Sequence, residues 1–222
     1  MDFNSIVMRV TVEALPLVLA ITLHEAAHGY VARLLGDNTA YMLGRVTLNP
    51  AKHIDPMGTL LFPLMSLVMG GVIFGWAKPV PVNLGNLRHP KRDMFWVAAA
   101  GPGSNIVQAL IWALVAKLIQ DSGGTSVIAQ FWFYVAFAGI KWNVVLAVFN
   151  LFPILPLDGG RMITSVLPNR MAYEFSKLER YGMLILIGLL IMMIAFPPLG
   201  GFVMGLMNDT MRFIVSLFGL TE

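Results

Sequence analysis

Two histidines and a glutamate stand together in the run His24-Glu25-Ala26-Ala27-His28. Residues four positions apart lie on one face of an α-helix, one turn from each other, so both imidazoles can bind the same metal ion. A carboxylate beside them can take a proton from a zinc-bound water, whose pKa the metal lowers to about 7. The pattern therefore predicts a hydrolytic zinc site, with His24 and His28 as ligands and Glu25 as the base.

The surroundings of Glu25 separate this pattern from a chance match. Glu25 is the only acidic residue in an apolar stretch that runs from Ala14 to Leu35. A carboxylate placed inside a bilayer is unfavourable by several kcal/mol unless it is paired, so such residues are functional by default. The alternative, two histidines packed for shape, leaves the glutamate unexplained.

A third metal ligand has to come from another part of the chain, because hydrolytic zinc sites commonly use three protein ligands and one water. Asp158 is the strongest candidate, since it follows the charge-free stretch 150–157, which two prolines interrupt. Prolines that unwind a helix end at membrane depth are tolerated where protein or water lines a site. Two glycines follow, which we expect to let the chain turn sharply beside the ion. Taken alone, Asp158 also fits an ordinary helix-ending turn.

The composition of the whole chain points to a membrane protein. Hydrophobic residues make up 57% of the 222 positions and charged residues only 12%, against roughly 25% in soluble domains. The stretches 57–77, 94–116 and 182–207 contain no Asp, Glu, Lys or Arg. We therefore expect an all-α polytopic membrane protein, a bundle of about 4–6 transmembrane or re-entrant helices.

The absence of cysteine limits the possible metal ligands, and the positions of the charged residues limit the possible partners. Because cysteine is absent, any metal must bind nitrogen and oxygen atoms. The formal charge of +3 comes from residues in short loops between apolar segments, as membrane orientation requires. We therefore predict a lipid bilayer as surroundings and no nucleic-acid partner.

The chain is expected to form a single domain, 1–222. Its expected parts are a metal-binding helix 10–35, a possible re-entrant segment 57–77, helices 94–118 and 127–153, an Asp-Gly loop 153–161 and C-terminal helices 182–220. The last part is interrupted at Pro197 and Pro198, so it is either one kinked span with a tail or two short spans.

Two stretches between helices favour extended backbone. The first, 41–48, is rich in β-branched and aromatic residues, and the second, 77–83, contains Pro79 and Pro81, which forbid helix. We expect them to pair as a small membrane-edge β element. The edge of the second stretch would then bind an unwound substrate segment by strand addition.

Together these motifs resemble the site-2 protease family of intramembrane zinc metalloproteases. The resemblance rests on HExxH on an early membrane helix, on Asn150-Leu-Phe-Pro-Ile-Leu-Pro-Leu-Asp158-Gly on a late one, and on Gly101-Pro-Gly-Ser-Asn105 between them. Without a PDZ or CBS module, the chain looks like the minimal bacterial branch.

The resemblance implies a metalloendopeptidase with one zinc ion per chain, held by His24, His28 and Asp158. Glu25 would activate water, and the substrates would be proteins or peptides cut in or near a transmembrane segment. It also implies a multi-pass protein of the bacterial cytoplasmic membrane. The motifs do not specify the natural substrate, the trigger or the oligomeric state.

Several polar residues are candidates for supporting roles. Asn143 and Asn150 are seven residues apart and share a helix face, and Asn150 is predicted to orient substrate or stabilise the oxyanion. His53 is a candidate oxyanion donor from its loop, or an ordinary turn residue. For Asn105 and Asn143, ordinary polar contacts between helices are as good an interpretation as a supporting role at the site. Lys141 either reaches an interface with its ammonium or pairs with an acid.

Basic residues lie after the first apolar segment, around 78–92 and after Asp158, which places these three regions on the cytoplasmic side. Both halves of the metal site then lie toward that face if 57–77 is a bent, re-entrant hairpin, with which its glycines and proline are compatible. A full crossing by 57–77 would separate the two halves unless both lay near the midplane.

Two other functions compete with hydrolysis. A metal transporter would need further carboxylates deep in the spans, and the sequence offers none beyond Glu25. A catalytically silent scaffold would be expected to lack the base or a ligand, and here His24, Glu25, His28 and Asp158 are all present.

Overall fold

The computed structural model describes residues 3–55 and 78–220, and within these ranges the chain is built from helices and turns. Short 3₁₀ turns lie at Pro50–Lys52, Leu84–Asn86 and Lys177–Tyr181. The predicted re-entrant segment 57–77 lies outside the described residues. The α-helices are α1 (Phe3–Leu34), α2 (Thr39–Met42), α3 (Pro90–Asp121), α4 (Val127–Asn150), α5 (Asp158–Val166), α6 (Asn169–Ser176), α7 (Gly182–Ala195) and α8 (Pro197–Leu217).

Four parts of the described chain are long and apolar enough to cross a membrane. They are Val10–Leu34, Pro90–Asp121, Val127–Asn150 and Asn169–Ala195. The first three agree, within a few residues, with the helices predicted at 10–35, 94–118 and 127–153. A proline at the first position of α3 and a capping serine, Ser126, before α4 explain where those two helices begin.

The core is the packing of α1, α3 and α4 against one another. Where α3 meets α4, it presents the fully buried alanines Ala109, Ala113 and Ala116, whose small side chains let helices approach closely. Gly139 on α4 leaves room for the side chain of Trp112, because a Cβ at position 139 would lie 2.4 Å from the indole ring. Small residues at these contacts allow the helices of the core to lie close together.

The apolar C-terminal run forms two helices, because α7 ends at Ala195 and α8 begins at Pro197. Proline cannot donate the backbone hydrogen bond that would continue α7. Ile214 and Val215 of α8 belong to the same buried cluster as α3 and α4. The second of the two helices therefore returns to the core.

The predicted β element is wrong for the residues described. Residues 39–42 form a helical turn and 43–48 continue in turns and bends, while 78–83 are extended without a partner strand among the described residues. Side chains of Glu25, Asp37 and Arg45 form hydrogen bonds with the backbone of 78–83. The backbone N–H and C=O groups in these bonds are therefore not available for pairing with another strand.

The Asp-Gly loop predicted at 153–161 is also corrected, because Asp158 is the first residue of helix α5. Gly159 and Gly160 are helical and do not have positive φ. They are needed for close approach, since a Cβ at 159 would lie 2.2 Å from the carbonyl oxygen of Leu151 and one at 160 would lie 2.5 Å from the carbonyl carbon of Ile154. The glycines let α5 rest directly on the backbone that leads to Asp158.

Candidate metal centre

The side chains of His24, His28 and Asp158 converge on one buried point. The two Nε2 atoms lie 3.1 Å apart. Asp158 Oδ2 lies 3.2 Å from His24 Nε2, and Oδ1 lies 3.4 Å from His28 Nε2. In a tetrahedral zinc site, ligand atoms at 2.0–2.1 Å from the ion are about 3.3 Å from one another. These separations are of the size expected between donors to one ion, and one donor atom from each of the three residues lies within 4.8 Å of the others.

Hydrogen bonds at the far side of each imidazole indicate which nitrogen faces the ion. His24 Nδ1 lies 2.6 Å from Asn105 Oδ1, and His28 Nδ1 lies 2.7 Å from the carbonyl oxygen of Val97. Both partners can only accept, so each Nδ1 carries the proton and each Nε2 presents a lone pair. Two lone pairs and a carboxylate facing one point need a cation between them, and this nitrogen and oxygen donor set fits zinc.

Asp158 completes the donor set as an ionised group. Its Oδ2 is buried and has no hydrogen-bond donor among the described residues. A carboxylate must be deprotonated to bind a metal ion, and a buried carboxylate oxygen without a donor is suited to that role.

Gly101 of α3 makes room for both imidazoles. A Cβ at position 101 would lie 2.4 Å from His28 Nε2 and 2.6 Å from His24 Cε1. No side chain larger than hydrogen fits there without moving the ligands. The Gly-Pro-x-x-Asn element thus supplies a backbone surface against which the two histidines rest.

A chain of amide hydrogen bonds connects the metal helix to the two neighbouring helices. Asn143 on α4 donates to the carbonyl oxygen of Gly139 and accepts from Asn105 Nδ2 at 2.9 Å. Asn105 also donates to the carbonyl oxygen of Ala20, which leaves its Oδ1 for His24. These bonds fix the orientation of Asn105 and, through it, the tautomer of His24. Both asparagines, whose roles the sequence left open, support the metal ligand.

Glu25 lines a cavity of about 100 Å³ beside the three ligands. Its Oε2 accepts a hydrogen bond of 2.9 Å from the backbone N–H of Val80. That bond uses one of the amides that strand addition at 77–83 would require. One carboxylate oxygen is thus held by the protein, while the residue borders the space next to the ligands.

The structure brings Asn150, but not His53, to this cavity. Asn150 lines it and donates from Nδ2 to the carbonyl oxygen of Leu146. His53 is buried, with Nε2 3.0 Å from the carbonyl oxygen of Thr47, and is not among the described residues that line the cavity. Its oxyanion role stays a prediction that none of these contacts supports.

An ion pair between α1 and α4 was not identified from the sequence. Lys141 Nζ lies 3.0 Å from Glu13 Oε1. Lys141 is the single charged residue of α4, and Glu13 is one of the few charged residues of α1; charges within membrane helices pair with one another. That rule could have linked them, and it resolves the alternatives for Lys141 in favour of pairing.

Comparison with known proteins identifies the family of the chain. The profile of peptidase family M50 matches residues 115–195. YwhC of Bacillus subtilis (strain 168), named as a candidate zinc metalloprotease, is 37% identical over 212 residues, which cover 91% of this chain and 88% of YwhC. The chain belongs to peptidase family M50, the site-2 protease family.

More distant relatives carry the same kind of name. Rip2 of Mycolicibacterium smegmatis is 30% identical over 174 residues, or 78% of this chain and 64% of Rip2. Rip2 of Mycobacterium tuberculosis (strain H37Rv) is 28% identical over 188 residues, or 85% of this chain and 68% of that protein. Both are named as candidate zinc metalloproteases. No solved structure matches the chain.

Proposed function

We propose that this protein is a zinc-dependent intramembrane endopeptidase that hydrolyses peptide bonds in or near transmembrane segments of its substrates. The observation that carries the proposal is the convergence of His24, His28 and Asp158 beside Glu25 on one cavity, within a bundle of membrane-length helices. Membership of the M50 family and the names of the relatives support it.

His24, His28 and Asp158 would hold one zinc ion per chain, through two Nε2 atoms and the carboxylate. Bound zinc supplies Lewis acidity and lowers the pKa of water to about 7. Glu25 accepts the proton of the attacking water and delivers it to the leaving amine. Because Val80 holds Oε2, the proton moves through Oε1. Asn150, on the same cavity, orients the substrate backbone or donates to the developing oxyanion.

The same proposal places the protein in a bacterial cytoplasmic membrane as a multi-pass protein, with the cavity toward the cytoplasmic face and 57–77 re-entrant. Basic loops around 45–52 and 78–92 support this orientation. Single cysteines at Lys52 and Arg88 can be labelled with a membrane-impermeant thiol reagent in spheroplasts and in inverted vesicles. We expect both sites to react from the cytoplasmic side. Labelling from opposite sides would exclude the re-entrant arrangement.

The central experiment compares Glu25→Gln with the wild-type protein after reconstitution into liposomes. Zinc content is measured by elemental analysis, and cleavage by gel and mass spectrometry of a model transmembrane peptide. We expect about one zinc per chain in both proteins and a loss of cleavage of about 10²-fold or more in the variant.

Glu174→Gln is the matched control, because Glu174 is an exposed glutamate that pairs only with the neighbouring Lys177 among the described residues. It should retain wild-type cleavage. Full cleavage by Glu25→Gln would overturn the proposal, and zinc flux across the liposome without cleavage would indicate transport instead.

A further inference from the structure

The extended segment 78–83 contacts the proposed base, and contacts with other parts of the chain hold it in place. Val80 N–H donates to Glu25 Oε2 at 2.9 Å, and Lys78 N–H donates to the carbonyl oxygen of His53 at 2.9 Å. Pro79 and Pro81 have no N–H to donate. The segment is therefore held by a few individual hydrogen bonds and by the packing of the buried Val80 and of Val82, which lies against a buried apolar cluster.

Asp37 holds the far end of this segment. Its carboxylate is fully buried, and Oδ2 accepts a hydrogen bond of 2.7 Å from the backbone N–H of Asn83. Oδ1 accepts from the backbone and the hydroxyl of Thr39 and from Asn86 Nδ2. Burial raises the pKa of Asp37, but these hydrogen bonds outweigh it and lower the pKa below its ordinary value. The group is thus an ionised, fully bonded anchor.

Arg45 holds the near end. Its guanidinium Nη2 donates to the carbonyl oxygen of Lys78 at 2.7 Å and lies 3.3 Å from that of Pro79. The side chain is buried, like that of Asp37. Both anchors lie between the end of α1 and the 3₁₀ turn at Pro50–Lys52, one on each side of α2. The amide that contacts Glu25 lies between the two points they hold.

We propose that Asp37 and Arg45 are positioning residues for the base of the reaction. They fix 78–83 so that Val80 N–H immobilises one oxygen of Glu25 and the other is directed to the attacking water. This inference rests on the proposed function. Misplacement of a catalytic group by about 1 Å costs on the order of 10²-fold in rate, so loss of an anchor should lower kcat, with KM little changed.

Asp37→Asn is a selective test of this inference. The asparagine oxygen can keep two of the donors from Thr39 and Asn86, but its NH₂ then faces the N–H of Asn83, which has lost its acceptor. The segment is released while the fold around Thr39 is retained. Thr39→Val is the matched control, because it removes one donor to the same carboxylate and leaves the Asn83 bond intact.

Three measurements are made on the full-length protein in liposomes: zinc content, kcat and KM for a model transmembrane peptide, and hydrogen–deuterium exchange of a peptide that covers 78–83. For Asp37→Asn we expect zinc at wild-type level, faster exchange in 78–83, kcat reduced about 10- to 100-fold and KM within about threefold. Thr39→Val should match the wild type in all three.

Arg45→Lys tests the other anchor and decides the question if Asp37→Asn does not fold. A lysine keeps the charge but loses the planar guanidinium, and it should also lower kcat without loss of zinc.

Faster exchange in 78–83 with wild-type kcat would overturn the inference, as would a fall in kcat that only follows loss of zinc. Inactive Glu25→Gln beside fully active Asp37→Asn would refute this inference alone, whereas active Glu25→Gln would refute the proposed function.

Discussion

The two halves of the candidate active site are held in different ways. The metal ligands lie on and beside α1, α3 and α4, where backbone hydrogen bonds are satisfied within each helix and small residues set the distances between helices. The candidate base contacts 78–83, whose backbone is bound by single side chains from the residues after α1. Helix packing sets the distances between the candidate zinc ligands, and Asn105 and the carbonyl of Val97 orient the two imidazoles, whereas the candidate base is contacted by a segment outside the long helices.

This difference predicts that the two regions fail differently. A substitution that displaces the helices carrying the candidate ligands should change zinc binding, because the ligands move with their helices. A substitution around 78–83 should leave zinc bound and change turnover. Three experiments test this contrast, in order of decreasing expected effect.

Gly101→Ala should have the largest effect. The new Cβ would lie 2.4 Å from His28 Nε2, so the imidazoles or α3 must move and the donor set opens. We expect zinc affinity to fall by at least about 10²-fold, because a metal-ligand displacement exceeds the effect of losing an outer-shell partner. Elemental analysis and competition with a zinc chelator measure it.

Gly103→Ala is the control for that substitution, because it lies on the same helix and a Cβ there meets nothing within 4 Å. It should bind zinc like the wild type. Normal zinc binding by Gly101→Ala would refute the claim that packing against α3 positions the ligands.

Val80→Pro should have an intermediate effect, on turnover alone. Proline removes the N–H that donates to Glu25 Oε2, while Val80→Ala retains it. We expect kcat to fall about 10- to 100-fold for proline, with zinc retained, and to change little for alanine. Equal activity of the two variants, measured with a model transmembrane peptide, would contradict a role for this amide.

The Glu13–Lys141 pair should have the smallest effect. It ties α1 to α4 at 3.0 Å, but neither residue lines the described cavity. We expect Glu13→Gln and Lys141→Met each to reduce stability, with a coupling of about 0.6–1.7 kcal/mol as found for polar contacts between membrane helices. A double-mutant cycle of unfolding in detergent measures it. Loss of zinc in either variant would show that the pair also positions the ligands.

Local spacing indicated part of the candidate site. Helical periodicity puts His24 and His28 on one face beside Glu25, but Asp158, which taken alone also fits a helix-ending turn, became the candidate third ligand only together with that motif. The contacts that hold these residues could not be found in this way. Asn105 is 81 residues from His24 and Val80 is 55 residues from Glu25, and a pattern read along one segment does not record such pairs.

The two corrections have the same cause, which is contact with other segments of the chain. Residues 77–83 have the composition of an edge strand, but a strand needs a ladder, and their hydrogen bonds are taken by side chains that arrive from other segments. Gly159 and Gly160 fit a sharp turn equally well from sequence, yet they lie in helix α5, where the backbone packed against them leaves no room for Cβ atoms. The amino-acid sequence by itself predicted the candidate ligands and base and determined the apolar helices. Only the tertiary structure decided how tightly the helices approach and which distant polar groups orient His24 and Glu25, because those depend on contacts between segments far apart in the chain.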